Sequence, residues 1–429
     1  MKTLEQIAAE LQGYDPHALP ADMVAAFLER LVEPIAETQT VPLPQALDRV
    51  LGCDVLSPMD VPPHDNAAMD GYALRGADLQ TAGPIRLRVL GTCYAGQRRW
   101  EAPVPGGACV RIMTGAVMPA DCDTVVPVEL ATDGGDGTII VPAGTVRPGD
   151  HRRLRGEDLA AGRPALRAGQ RLGPAALGLV ASLGIAELTV RRRARVAYFS
   201  TGDEILSLGE AWRPGAIYDS NRHTLTALLR RLGVDVVDFG VVRDDPAALE
   251  DALRQAAAQA DAVITSGGVS MGEADHTKAM MRRLGDVVFW RIAMRPGRPM
   301  AVGRLHTGSR ATLLFGLPGN PVAAMVTFLM FVRPALLRLM GAVATAPIPL
   351  RARSIEPMRK KPGRTEYQRG IVTRAADGTL QVRTTGQQGS GVLRSMVEAN
   401  GLIVLHHDQG SVAPGDEVDV LMFEGLLGA

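Results

Sequence analysis

Apolar positions recur along this chain in two rhythms, and the changes of rhythm divide it. In the stretch ADMVAAFLERLVEPI, residues 21–35, Met23, Phe27, Leu28 and Leu31 share one face at helical spacing, which predicts an amphipathic helix. Pro42 and Pro44 then bracket a short predicted helix over 45–51. From about residue 52 to 150 the helical period disappears, and glycine and proline become frequent. Apolar runs at 85–90, 110–113 and 124–128 predict strands there, and Gly134-Gly135-Asp136-Gly137 predicts a turn. Helical spacing returns within 151–185, most clearly in PAALGLVASL at 174–183. Two helical stretches flanking a β-rich module predict one helical or linker domain, 1–51 plus 151–185, interrupted by an inserted β-rich domain at 52–150.

Over 186–340 the two rhythms alternate. Strands are predicted at 196–200, 234–242, 262–265, 287–292 and 312–315, and helices at 222–232, 247–260, 276–284 and 322–339. Such alternation predicts a multidomain α/β protein whose central domain is a doubly wound, largely parallel sheet. Residues 345–429 lose the helical period again, and their runs predict a C-terminal β-barrel or sandwich. Its unusual loop is Gly386-Gln387-Gln388-Gly389-Ser390-Gly391.

Doubly wound sheets bind ligands outside the carboxyl ends of their strands. Here those ends read Thr201-Gly202-Asp203-Glu204, Arg243-Asp244-Asp245, Ser266-Gly267-Gly268-Val269-Ser270 and Leu317-Pro318-Gly319-Asn320-Pro321. Polar, acidic and glycine-rich residues therefore collect at one edge of one sheet. In the stretch 261–278, DAVITSGGVSMGEADHTK, paired glycines let backbone N–H groups approach a phosphate without interference from a Cβ. The acids that follow suit a divalent cation held against that phosphate. The plainer reading is a strand-to-helix turn with Asp275 as the helix cap. Arg291, Arg295 and Arg298 bring cations to the same edge, and guanidinium suits bidentate phosphate contact. In the β-rich module, Asp70-Gly71 and Thr114-Gly115 taken singly read as turns.

Composition excludes several classes. The chain has 429 residues, with Lys plus Arg and Asp plus Glu at 46 each, so it carries no polyanion-binding charge excess. Cys53, Cys93, Cys109 and Cys122 show no metal-ligand spacing and predict free thiols in a reducing compartment. The opening MKTLEQIAAELQG has no apolar core of a secretory signal, and the longest apolar run, 322–332, falls short of the ~20 residues that span a bilayer. A soluble, cytoplasmic protein with no nucleic-acid or membrane partner is expected.

In order, AAMDGYA, TGDE, TSGGVSMGEADHT, MRPGRP, LPGNP and QGSG resemble the molybdopterin molybdenumtransferase family, MoeA-like and related to a domain of gephyrin. The resemblance covers nearly the whole chain. It implies a homodimer with the active cleft between chains, passing contacts with molybdopterin adenylyltransferase and with proteins that mature molybdoenzymes, and a Mg²⁺-dependent reaction. In that reaction adenylylated molybdopterin and molybdate give molybdenum cofactor and AMP. It implies that Ser266, Gly267, Gly268 and Ser270 cradle phosphate, with Pro318, Gly319, Asn320 and Pro321 beside them. Glu204, Asp244 and Asp275 would hold the cation and take part in catalysis, while Arg291, Arg295 and Arg298 would attract molybdate. Asp70 and Thr114 would line the cleft as catalytic residues from the partner chain, and Asp158, Arg369 and Ser390 would contact the cofactor. Two departures from the family pattern stand out: arginine replaces the usual lysine at 291, 295 and 298, and Ala67 stands where serine is common. A molybdopterin adenylyltransferase and a non-catalytic dimeric scaffold are the competing readings.

Overall fold

The computed structural model describes residues 2–268, 275–308, 310–343 and 346–427, with the backbone alone at 275–278 and 427. Its centre is a six-stranded sheet ordered Asp235–Val242, Arg195–Thr201, Ala262–Ser266, Arg310–Leu317, Pro299–Thr307, Gly285–Arg291. The first four run parallel. Pro299–Thr307 is antiparallel to both neighbours and has no counterpart among the predicted strands. Successive residues face opposite layers, as a pleated strand requires. Val196, Tyr198, Ile264 and Phe315 point into one core, whereas Ala197, Phe199, Val263 and Leu314 point into the other.

The helices between strands have legible ends. Asp219 caps Ser220–Leu232 by accepting the Arg222 N–H at 2.9 Å, and Gly233 closes it at φ 87°. Asp245 caps Pro246–Gln259 by accepting from Ala248 at 2.8 Å. The helix Pro321–Leu339 contains a π turn at Phe328–Val332, one residue before the Arg333-Pro334 step. Proline has no N–H for the usual bond to the preceding turn, and a wider turn accommodates that loss. This helix is long and apolar enough to span a membrane by composition, but 67% of its apolar window is buried inside the protein.

The N-terminal helices Leu4–Ala9 and Ala21–Leu31 do not join the 151–185 segment, contrary to the grouping expected from their rhythm. Leu4, Ile7, Val24, Phe27 and Leu31 share the core of Tyr198, Ile264 and Trp290. Phe27 meets the Trp290 ring edge-on at 5.0 Å between centroids. Residues 151–185 contain one helix, Pro174–Ser182, and the short strand Pro164–Leu166, which pack with the antiparallel pair Thr38–Pro42 and Glu187–Arg191, while the strand Arg152–Arg153 pairs with Asn66–Ala67 of the inserted module. The helix expected over 45–51 is a 3₁₀ turn at Leu43–Ala46. Its remainder is drawn into long-range pairing: Leu51 N–H donates to Gln170 O at 2.9 Å and Asp48 N–H to Leu172 O at 2.8 Å. A helix this short gains too little from its own bonds to compete.

The inserted module forms a six-stranded sheet around Gly71–Leu74, Ala108–Ile112 and Ile85–Cys93. Its core holds three of the free thiols, and burial pushes those of Cys109 and Cys122 up to about 12, while Cys53 is exposed. In the C-terminal region Thr365–Arg374 pairs with Leu380–Thr384 on one side and Gly401–Leu405 on the other, closing a five-stranded barrel. Met294–Arg295 adds in parallel to the start of Thr365–Arg374. The arginine loop of the central domain is thereby pinned to the barrel.

Candidate active site

The carboxyl ends of the central strands open into a cleft of about 1540 Å³. It is lined by Glu204, Asp244, Ser266, Gly267, Gly268, Arg291, Arg295, Arg298, Ser390 and the run Pro318, Gly319, Asn320, Pro321. These residues come from five strand ends and from the barrel loop, so the fold collects what the chain spreads over nearly two hundred positions.

The glycine turn at 267–268 has a strict steric basis. Gly267 and Gly268 have φ of 92° and 66°, a region that favours glycine. A Cβ on Gly267 would lie 2.6 Å from the Thr201 carbonyl oxygen, which is backbone and cannot swing away. Gly267's own amide donates to Leu317 O at 3.1 Å, so its contribution to a phosphate cradle is shape. Ser266 is buried, and its hydroxyl lies 2.7 Å from the Tyr198 hydroxyl, which in turn meets Ser200 at 2.8 Å. Ser270 and the side chain of Asp275 fall outside the described residues; the backbone of Asp275 opens the helix Asp275–Leu284.

The same cleft is lined by an arginine wall. Arg291 is half-buried, Arg295 and Arg298 are exposed, and none of the three forms an ion pair with a described carboxylate. Cations that line one cleft with no carboxylate partner among the described residues favour an anion there. On the acidic side, the Glu204 carboxylate lies over Gly202, where a Cβ would meet it at 2.6 Å. The Asp244 amide donates to the Asp203 carboxylate at 3.4 Å. Among the described residues no cluster of three or more His, Cys, Asp or Glu is placed to hold a metal.

Four expected residues lie elsewhere. Asp70 and Thr114 are brought together on the inserted module, away from this cleft. Thr114 donates to Asp70 Oδ1 through its amide and its hydroxyl, each at 2.7 Å. These bonds, the amide first, hold the Asp70 carboxyl below the usual range. Asp158 is exposed beside the same module, its amide bound to Val61 O. Arg369 is 1% exposed and sits behind the barrel loop, donating to Ser395 Oγ and Gly389 O, each at 3.0 Å. Burial, reinforced by the Arg295 charge, pushes its guanidinium down to about 10. In its place Ser390 reaches the cleft, with its carbonyl accepting the Val322 N–H at 3.0 Å.

The cleft also contains residues that pattern reading passed over. Asp219 and Asn221 line it, and Asn221 Nδ2 donates to Gly319 O at 2.8 Å. The sequence signal was present as a helix cap following an apolar pair. Asp219 Oδ2 is buried without a hydrogen-bond partner among the described residues. His17 lines the cleft from the N-terminal segment and Arg364 from the C-terminal region, and nothing local in the sequence announces either.

A glycine turn, acidic residues and guanidiniums with no carboxylate partner among the described residues line one cleft at the carboxyl edge of a doubly wound sheet, an arrangement suited to an oxyanion in an α/β protein. Family matches narrow the class: residues 19–184 match the MoeA N-terminal region (domain I and II), 197–338 a probable molybdopterin binding domain, and 351–423 the MoeA C-terminal region (domain IV). The chain is 41% identical over 405 residues to the molybdopterin molybdenumtransferase of Haemophilus influenzae, covering 94% of this chain and 97% of that one. It is also 41% identical over 407 residues to molybdopterin molybdenumtransferase 2 of Mycobacterium tuberculosis, covering 92% and 97%. The solved molybdopterin biosynthesis MoeA protein of Pyrococcus horikoshii superposes with a TM-score of 0.79 at 26% identity, over 94% of this chain and 99% of that one. The chain belongs to the molybdopterin molybdenumtransferase (MoeA) family.

Proposed function

We propose that this protein transfers molybdenum in cofactor biosynthesis, taking adenylylated molybdopterin and molybdate to molybdenum cofactor and AMP. The observation that carries the reading is the arginine wall, three guanidiniums with no carboxylate partner among the described residues, lining the same cleft as the turn at Gly267 and Gly268. Two anions must meet in this reaction, and grouped cations lower the cost of bringing them together. The turn lets backbone approach the pterin phosphate, and Arg291, Arg295 and Arg298 neutralise the phosphoryl oxygens and the incoming dianion. Arginine instead of lysine offers molybdate a planar pair of donors.

Two carboxylates beside a substrate phosphate form the oxygen donor set that Mg²⁺ accepts. Glu204 and Asp244 would hold it from this chain, with Asp275 as the expected third ligand. When bound, Mg²⁺ polarises phosphoryl oxygen. Asp70, oriented by Thr114, is a fixed carboxylate that does not line its own chain's cleft, which supports a homodimer in which it serves the partner's cleft. Contacts with the adenylyltransferase that supplies the substrate, and with the proteins that receive the product, follow from the same reading.

The test is AMP release from adenylylated molybdopterin by the purified protein, with and without molybdate. Release only with molybdate is expected. Formation of the adenylate from ATP without molybdate would point to the preceding step instead. Mixing an inactive Asp70→Ala chain with an inactive Arg295→Ala chain should restore activity, and failure to do so would exclude a shared cleft.

A further inference from the structure

The first family match begins at residue 19, yet the preceding residues are built into the cleft. Gly285–Arg291 is the edge strand of the central sheet, and edges with open N–H and C=O groups invite pairing. The N-terminal segment takes up that edge at its carboxyl end. Arg291 N–H donates to Pro16 O at 2.7 Å, Leu19 N–H to Arg291 O at 3.1 Å, and Ala293 N–H to Leu19 O at 2.8 Å. Upstream, Leu4 N–H donates to Asp286 Oδ2 at 2.9 Å, Trp290 Nε1 to the Tyr14 hydroxyl at 2.8 Å, and buried Arg304 to Lys2 O at 2.6 Å. Residues 2–19 are therefore a fastened strap, anchored along the strand that ends in Arg291.

His17 lies between the two residues that clamp the Arg291 main chain. It is exposed and lines the cleft, and its own amide is fixed by Asp15 Oδ1 at 2.8 Å. Its ring has no hydrogen-bond or ion-pair partner among the described residues. The strap thus holds an unengaged imidazole at the arginine wall, where an N–H can add to the guanidinium donors.

We infer that His17 is a further ligand-binding residue of this cleft, donating from its ring to an oxyanion held beside Arg291. The inference rests on the oxyanion reading proposed above. Nucleotide phosphate and molybdate present the same chemistry, so the probes must separate them. Calorimetric titration of the full-length protein with AMP alone and with molybdate alone does so, comparing wild type, His17→Ala and His17→Gln. Loss of one hydrogen bond to a charged group predicts that His17→Ala weakens one probe by about tenfold. The probe affected identifies the oxyanion. His17→Gln, which keeps an N–H donor, should remain within about threefold of wild type, and both variants should melt as wild type does because the residue is exposed. The inference is overturned if His17→Ala binds both probes like wild type, or if His17→Gln binds no better than His17→Ala. If wild type binds neither probe, the oxyanion reading itself fails and takes this inference with it.

Discussion

The strand Ala262–Ser266 has charged groups at both ends, and the two ends treat them in opposite ways. At the amino end Asp261, with a side chain 8% exposed, accepts two bonds from Arg192 at 2.7 and 2.9 Å, one from Arg310 at 2.7 Å and the Arg195 amide at 2.8 Å. Burial pushes the Asp261 carboxyl up, but the Arg192 and Arg195 bonds and the charges of Arg192 and Arg310 together outweigh it and hold the group below its usual range. At the carboxyl end the glycine turn shares a cleft with Arg291, Arg295 and Arg298, which have no such partner among the described residues. One end has completed its set of charges and joins strands together. The other leaves its set open for a ligand to complete.

Breaking the open end should affect catalysis without affecting the fold. Replacing Arg295 and Arg298 together with alanine should lower the rate of molybdate-dependent AMP release about a thousandfold, equivalent to about 4 kcal/mol, with the melting temperature unchanged. A comparable fall in melting temperature would show that these arginines hold structure, and the contrast between the ends would collapse. Gly267→Ala sits between the two regimes. A side chain at φ 92° against the Thr201 carbonyl should cost about 3 kcal/mol of stability by denaturant unfolding and distort the turn as well. An unchanged denaturation midpoint would mean the backbone relaxes freely there.

The smallest effect belongs to the closed end. Asp261→Ala should cost about 2 kcal/mol of stability and leave the activity of the folded fraction intact. Because the folded carboxyl titrates below its unfolded value, its contribution is complete above about pH 4 and disappears as the pH falls through the lower, folded pKa. The stability gap between wild type and Asp261→Ala should therefore narrow in acid. A gap that stayed constant down to pH 2 would show that the ionised group is not what matters.

Legibility followed the range of the forces involved. The helix caps Asp219 and Asp245 and the strand at 262–265 are set by near neighbours, and the alternation over 195–339 could be read from periodicity. The loops after each strand could be placed together because parallel crossovers put all carboxyl ends on one edge. Pro299–Thr307 was missed because it carries Gly303 in its interior, which weakens a strand signal. That glycine is required by pairing, since a Cβ there would lie 2.2 Å from the Asp286 carbonyl oxygen on the neighbouring strand. The family resemblance implies a cofactor contact for Arg369, whereas its burial behind the loop at 387–389 depends on closure of the barrel.

By itself, then, the chain determined its family motifs, its alternating central domain and the residue types gathered at one sheet edge, because these rest on local spacing and on a general rule of topology. Only the tertiary structure decided that the first two helices belong to the central core, that Gly267 contributes shape through a committed amide, and that residues 2–19 are strapped beside Arg291. Each of these depends on which partner a backbone group or apolar face finds across long stretches of sequence. Such partners compete at nearly equal local cost, and packing of the whole protein selects among them.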